Sequence, residues 1–324
     1  MTRQLVGLTR FRCFAVLLCA IPLPATAANY SFRDWEAQAS CWLPDKIAHV
    51  RCVVVAHPMV AGLTEAVAKV AKEEGLGTMV YSGMGDIESL DRILDQWAAA
   101  SKHPELRGVA ILTGGLSASC LAARNAAYAV PERTIAIFNA AGANLHAPRK
   151  EPILNIPMQL HVGQFEEFGP DGGIRPHLQL ETQWYMLAED IRIRRSKDAD
   201  ALLSEVVIPG GHHGSWNGEL AALFVKKAVQ ARLPKDDKRD GSTPAKCIPI
   251  KNEDGWLTDG EVKYTKFEPA SVADYKGDKG KTLWHFDREL AMAVHNFHRK
   301  AFGEPGDIEK IWPQIGRASC RERV

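Results

Sequence analysis

Between Arg51 and His57 the chain reads Cys-Val-Val-Val-Ala, five apolar residues without polar alternation. A strand with one wet face alternates apolar and polar residues. An unbroken β-branched run suits a strand buried on both faces, as in a parallel sheet sandwiched by helices. Strands are expected at 35–43, 51–56, 75–81, 108–112, 134–138, 156–162 and 201–208. Helices are expected at 63–74, 87–100, 118–128, 182–194 and 220–231. In 63–74, Leu63, Val67, Val70 and Ala71 fall on one face. In 87–100, Leu90, Ile93, Leu94 and Trp97 do the same, with Asp86 as the N-cap. Strands alternating with helices at this spacing predict an α/β fold, a mostly parallel sheet with helices on both faces.

The ends read differently. Arg3, Arg10 and Arg12 precede an apolar run at 14–23, and Ala25-Thr26-Ala27 supplies small residues at a cleavage position. The expectation for 1–27 is a signal peptide, because the run is too short to span a bilayer. The mature protein is then expected to be secreted or periplasmic, with no membrane contact after cleavage. Residues 315–324, Ile-Gly-Arg-Ala-Ser-Cys-Arg-Glu-Arg-Val, resemble a translated sequencing adapter, and the natural chain is expected to continue past Gln314. Residues 28–233 form the expected main domain. Residues 234–314 are expected to be a charged, solvated linker followed by a small, mostly β appendage, whose aromatic residues Trp256, Tyr264, Phe267, Tyr275, Trp284 and Phe286 argue against disorder. The formal net charge of +1 gives no electrostatic reason to expect a nucleic-acid partner. The histidines show no metal-ligand spacing such as H-E-x-x-H, so neither metal nor cofactor is expected.

Seven cysteines become four when both ends are set aside: Cys41, Cys52, Cys120 and Cys247. Cys41 and Cys52 end neighbouring apparent strands, and a disulfide between them is expected after export. Cys120 is expected to be a buried thiol.

The strand at 108–112 runs into Thr113-Gly114-Gly115-Leu116-Ser117-Ala118-Ser119 and then an Ala-rich helix. Gly115-Leu116-Ser117-Ala118-Ser119 resembles the G-x-S-x-G elbow, with Ser119 in place of the second glycine. Such a turn holds a serine hydroxyl above the sheet edge and needs small neighbours. The helix that follows aims its N-terminal N–H groups at the same point, where they can stabilise an oxyanion.

Over residues 35–232 the chain resembles the α/β-hydrolase superfamily, especially its secreted bacterial esterase-like members. The link Val130-Pro131-Glu132-Arg133-Thr134 resembles the family's usual entry into its next strand. Residues 250–290, with Gly255-Trp256-Leu257, resemble a C-terminal appendage of some members. The resemblance implies a triad in the order Ser, acid, His, each after a strand. It implies Ser117 as nucleophile and Glu166 of Gly163-Gln164-Phe165-Glu166 as the acid, with glutamate where relatives carry aspartate; Glu167 is the alternative. It implies His212 of Pro209-Gly210-Gly211-His212 as general base, with His213 the alternative. For the oxyanion hole it implies the N–H groups of Ala118 and Met59, since Pro58 has none. His161 reads as a core residue, and Trp184, Tyr185 and Trp216 as pocket or core residues. The implied reaction is hydrolysis of a small-molecule or polymeric carboxylic ester through an acyl-enzyme. The alternatives are a non-catalytic binding protein of the same fold and a peptidase or amidase using the same triad.

Removing residues 315–324 is expected to leave fold and activity unchanged. Thermal denaturation and ester turnover of the truncated chain check this, and a loss above about 1 kcal/mol, outside the usual range for surface changes, contradicts it.

Overall fold

The apolar runs become the interior strands of one eight-stranded sheet. The computed structural model describes residues 28–35, 37–141, 156–164, 191–192, 195–196, 198–260 and 267–302. The strands are β1 (Ala28–Asp34), β2 (Ala37–Leu43), β3 (Cys52–Ala56), β4 (Leu76–Tyr81), β5 (Ala110–Leu116), β6 (Thr134–Ala140), β7 (Met158–Gly163) and β8 (Leu203–Ile208), in the order β1-β2-β4-β3-β5-β6-β7-β8. β1 pairs antiparallel with β2, and β2 antiparallel with β4. Every pair from β4 to β8 is parallel.

Helices cover both faces, and β3 shows why its run is unbroken. Cys52, Val54 and Ala56 pack with Leu63 and Val67 of α1 (Gly62–Glu74) and Phe224 of α4 (Gly218–Arg232). Val53 and Val55 point the other way. They join Leu90, Ile93, Leu94 and Trp97 of α2 (Ile87–Ser101) and Ala123 of α3 (Ser119–Ala129). All five β3 residues are buried. As expected, the Asp86 carboxylate accepts from the Ser89 N–H at 3.0 Å and starts α2. A mostly parallel sheet, helices on both faces and a serine at the β5–α3 turn make up the α/β-hydrolase architecture.

Several details differ from expectation. The strand expected at 35–43 is the second arm of a hairpin: Trp35 takes φ +52° and ends β1, so β2 starts at Ala37. The 108–112 strand extends to Leu116. The helix expected at 182–194 lies mostly outside the described residues, as do Trp184 and Tyr185. So do 1–27 and 315–324.

The Cys41–Cys52 disulfide is corrected: both are buried free thiols. Strand β4 lies between their two strands, with Met79 facing Cys41 on one side and Val55 on the other. Cys52 sits three residues before Val55, so the pleat turns it to the opposite face. Cys41 belongs to the α2-side core and Cys52 to the α1-side core.

The charged linker at 234–241 is mostly exposed, and the chain after it, residues 245–248, lies as a strap along the sheet. Ala245 N–H donates to Gly108 O at 2.8 Å, Cys247 N–H to Glu132 O at 2.7 Å, and Ile248 N–H to Arg232 O at 2.8 Å. Beyond it, β9 (Trp256–Asp259), β10 (Ala270–Ser271) and β11 (Thr282–His285) form a second sheet in the order β10-β9-β11. The helix α5 (Arg288–Phe302) adds 15 residues of helix to an appendage expected to be mostly β.

This appendage covers β8, which would otherwise be an open edge. His298 of α5 accepts the Val207 N–H at 3.1 Å. His285 bridges the two sheets, 3.3 Å from Ser204 Oγ and 2.9 Å from Thr258 Oγ1. Burial, followed by the neighbouring imidazoles, pushes His285 and His298 down to about 3. Burial does the same to His161. These three rings fold neutral, whereas the unfolded chain protonates them below its ordinary imidazole value of about 6.5. The unfolded state then binds more protons, so stability falls as pH drops from about 6.5 towards 3, and this contribution is flat above pH 7. Melting temperatures across that range check it; a melting temperature unchanged between pH 6.5 and 4 contradicts it.

Candidate active site

Strand β5 delivers Ser117 to the sheet edge in a conformation few non-glycine residues adopt. Its φ is +56°, in the left-handed region. Gly115 makes the turn possible: a Cβ there would lie 2.6 Å from Ser119 O and 2.7 Å from Cys120 Cα. Gly114 is needed for a second approach, because its Cβ would meet Leu63 Cδ2 at 2.6 Å. Ser117 N–H donates to Ala140 O at 2.9 Å, and Cys120 N–H donates to Ser117 O at 3.1 Å. The serine is thus fixed between β6 and the first turn of α3. The neighbouring Ala118 is exposed. Its N–H stands at the N-terminal end of α3, where the first donors have no intrahelical acceptor.

Ser119, the departure from the glycine pattern, is a tie that sequence reasoning missed. Its buried hydroxyl accepts from Leu116 N–H at 2.8 Å and donates to Leu116 O at 2.7 Å. One side chain therefore holds both polar backbone groups of Leu116, the residue before Ser117. A hydroxyl residue three positions past a strand end is the sequence signal for such a local bond.

The histidine loop follows β8. Gly210 takes φ +66°, and Gly210 N–H donates to Gln164 Oε1 at 2.8 Å. Gln164 N–H donates back to Ile208 O at 2.9 Å. A Cβ on Gly163 would lie 2.5 Å from His212 O, which explains the glycine at the end of β7. The turns after β7 and β8 are therefore sewn together. His212 is exposed; its N–H donates to Ser215 Oγ at 3.0 Å. His213 is half-buried, and a Cβ on Gly214 would sit 3.7 Å from Leu116 Cδ1. The loop carrying both histidines thus runs beside the elbow that carries Ser117. Glu166 and Glu167 lie outside the described residues.

His161 is fully buried and serves the scaffold, as the sequence suggested. Its Nδ1 accepts the Asn217 N–H at 3.0 Å, and its Nε2 lies 3.1 Å from Gln159 Oε1. Trp216 packs edge-on to Phe138 with ring centres 5.7 Å apart, a core role. Met59 is exposed, in the loop between β3 and α1, and its N–H donates to His57 Nδ1 at 3.2 Å.

No protein-family model matches the chain, and neither does any curated protein sequence. Solved structures do show a likeness. Poly(aspartic acid) hydrolase-1 from Sphingomonas sp. KT-1 is 16% identical, with 64% of this chain and 100% of that one covered at a TM-score of 0.39. Est1E from Butyrivibrio proteoclasticus is 13% identical, with 62% and 99% covered at 0.40. A dienelactone hydrolase from Anabaena variabilis is 19% identical, with 63% and 96% covered at 0.39. The strand order and the elbow, rather than these likenesses, define the fold.

Replacing Ser119 with alanine is expected to lower stability by about 1–3 kcal/mol, because Leu116 loses its side-chain partner at both backbone groups in a part-buried turn. Denaturant unfolding of Ser119→Ala measures it; a change below about 0.5 kcal/mol contradicts the tie.

Proposed function

We propose that this chain is a serine hydrolase that cleaves a carboxylic ester through an acyl-enzyme, working as a secreted or periplasmic protein. The observation that carries the reading is Ser117 at φ +56°, on a glycine-enforced strand-to-helix turn beside the loop of His212 and His213. Left-handed backbone at a non-glycine residue is strained, and here it coincides with a strand-to-helix turn enforced by Gly115. A serine cap on an ordinary helix would not need it.

A serine hydroxyl is a weak nucleophile near neutral pH, so a neutral imidazole must take its proton as Oγ attacks the ester carbonyl. The carbonyl oxygen becomes an oxyanion beside the Ala118 N–H at the start of α3. Collapse of the tetrahedral species expels the alcohol, which takes the proton from the imidazolium. Water then repeats the sequence on the acyl-enzyme and frees Ser117. Glu166 is assigned to hold the imidazole tautomer and to stabilise the imidazolium, with Glu167 as the alternative. No cofactor enters this chemistry.

His212 is assigned as the base. A second reading, His213, is favoured by a specific observation: His213 is half-buried beside Gly214, which faces Leu116 of the elbow, whereas His212 is exposed. Small p-nitrophenyl esters are the expected substrates and peptides are not. Ser117→Ala is expected to abolish ester turnover while remaining folded by circular dichroism. His212→Ala is expected to lose at least about 10³-fold in kcat and His213→Ala about tenfold. The reverse ranking transfers the base to His213. Full activity in Ser117→Ala, or turnover of peptides alone, contradicts the assignment of an ester hydrolase.

A further inference from the structure

In this fold the second oxyanion donor comes from the loop between β3 and the first helix. That loop, residues 57–61, can be accounted for donor by donor. His57 N–H donates to Gly114 O at 2.9 Å. Pro58 has no N–H. Met59 N–H donates to His57 Nδ1 at 3.2 Å. Val60 N–H donates to His57 O at 2.8 Å, and Ala61 N–H to Pro58 O at 3.3 Å. Every backbone donor of the loop is engaged within the protein. The side chains of Pro58, Met59, Val60 and Ala61 offer no donor.

One donor remains. An imidazole whose Nδ1 accepts a hydrogen bond, when neutral, carries its proton on Nε2. Burial holds His57 below its ordinary value, so the ring is neutral at working pH. The His57 Nε2 has no hydrogen-bond partner among the described residues. The residue also stands at the right end of the sheet. Ala56 pairs with Gly114 in register, and His57 follows at the C-terminal end of β3. Ser117 lies three residues beyond Gly114, at the end of the neighbouring strand.

We infer that His57 Nε2–H, rather than a backbone N–H of its loop, is the second donor to the substrate oxyanion, opposite Ala118. Met59 N–H serves this role indirectly, by fixing the ring orientation and the tautomer. The inference rests on Ser117 being the nucleophile.

Two variants separate a donor from a mere loop cap. His57→Asn keeps a side-chain oxygen that can accept the Met59 N–H, since asparagine is among the best residues at that capping position, but has no group at the Nε2 position. Genetic incorporation of Nτ-methylhistidine at 57 keeps the Nδ1 acceptor and removes only the Nε2 proton. Both are compared with wild type by fluorophosphonate labelling of Ser117, melting temperature and ester kinetics. In both, kcat is expected to fall by about 10²–10³-fold, as on loss of an oxyanion donor. KM and melting temperature are expected to stay near wild type. If either variant keeps kcat within about threefold of wild type, His57 acts only as a cap and the inference is overturned. Labelled wild type with unaffected variants refutes the His57 role alone. Wild type that takes no label at Ser117 overturns the nucleophile as well.

Discussion

The structure depends on one close approach, the packing of β5 against the first turn of α3. Gly115 lies so near Ser119 and Cys120 that any Cβ would overlap their backbones. That contact forces the chain to reverse sharply, and Ser117 takes up the left-handed conformation at the apex. The Ser119 hydroxyl then grips both backbone groups of Leu116. Leu116 in turn faces Gly214, next to the two histidines: a Cβ added there would lie 3.7 Å from its Cδ1. Ser117, the helix N-terminus and the His212–His213 loop are therefore placed by a single steric constraint.

A second layer of organisation lies at the far edge of the sheet. After the exposed linker, the appendage begins with a strap bonded along the N-terminal ends of β5 and β6. His285 and His298 hold the appendage on β8 as neutral rings. Strand β8 leads directly into the Pro209–Gly211 turn and the histidines, and β7 into the segment that carries Glu166. A covered, rigid β8 fixes where the histidine loop begins, which is a reason for this chain to carry the appendage.

Much of this was legible in the sequence because the signals were local. Five apolar residues in β3 read directly as a strand buried on both faces, and Asp86 read as a cap. Gly115 and Ser117 read as an elbow because steric demands at a turn are visible in adjacent residues. What the sequence hid was long-range. The insertion of β4 between β2 and β3 placed Cys41 and Cys52 on opposite faces of the sheet, which spacing alone does not reveal. The hairpin turn at Trp35 depends on a positive φ at a residue that does not ordinarily favour it. The Ser119 tie looked like a defect in the pattern until its partner was known. The His57 cap lay hidden because a histidine before proline carries no pattern of its own.

The central claim, a live Ser117 nucleophile in an acyl-transfer site, is tested most directly by pre-steady-state hydrolysis of a p-nitrophenyl ester. The account predicts a burst of about one p-nitrophenolate per chain when deacylation limits turnover, as expected for an acyl-enzyme. Quenched samples should carry the acyl group on the peptide containing Ser117. Linear release with no acyl adduct on that peptide would contradict it.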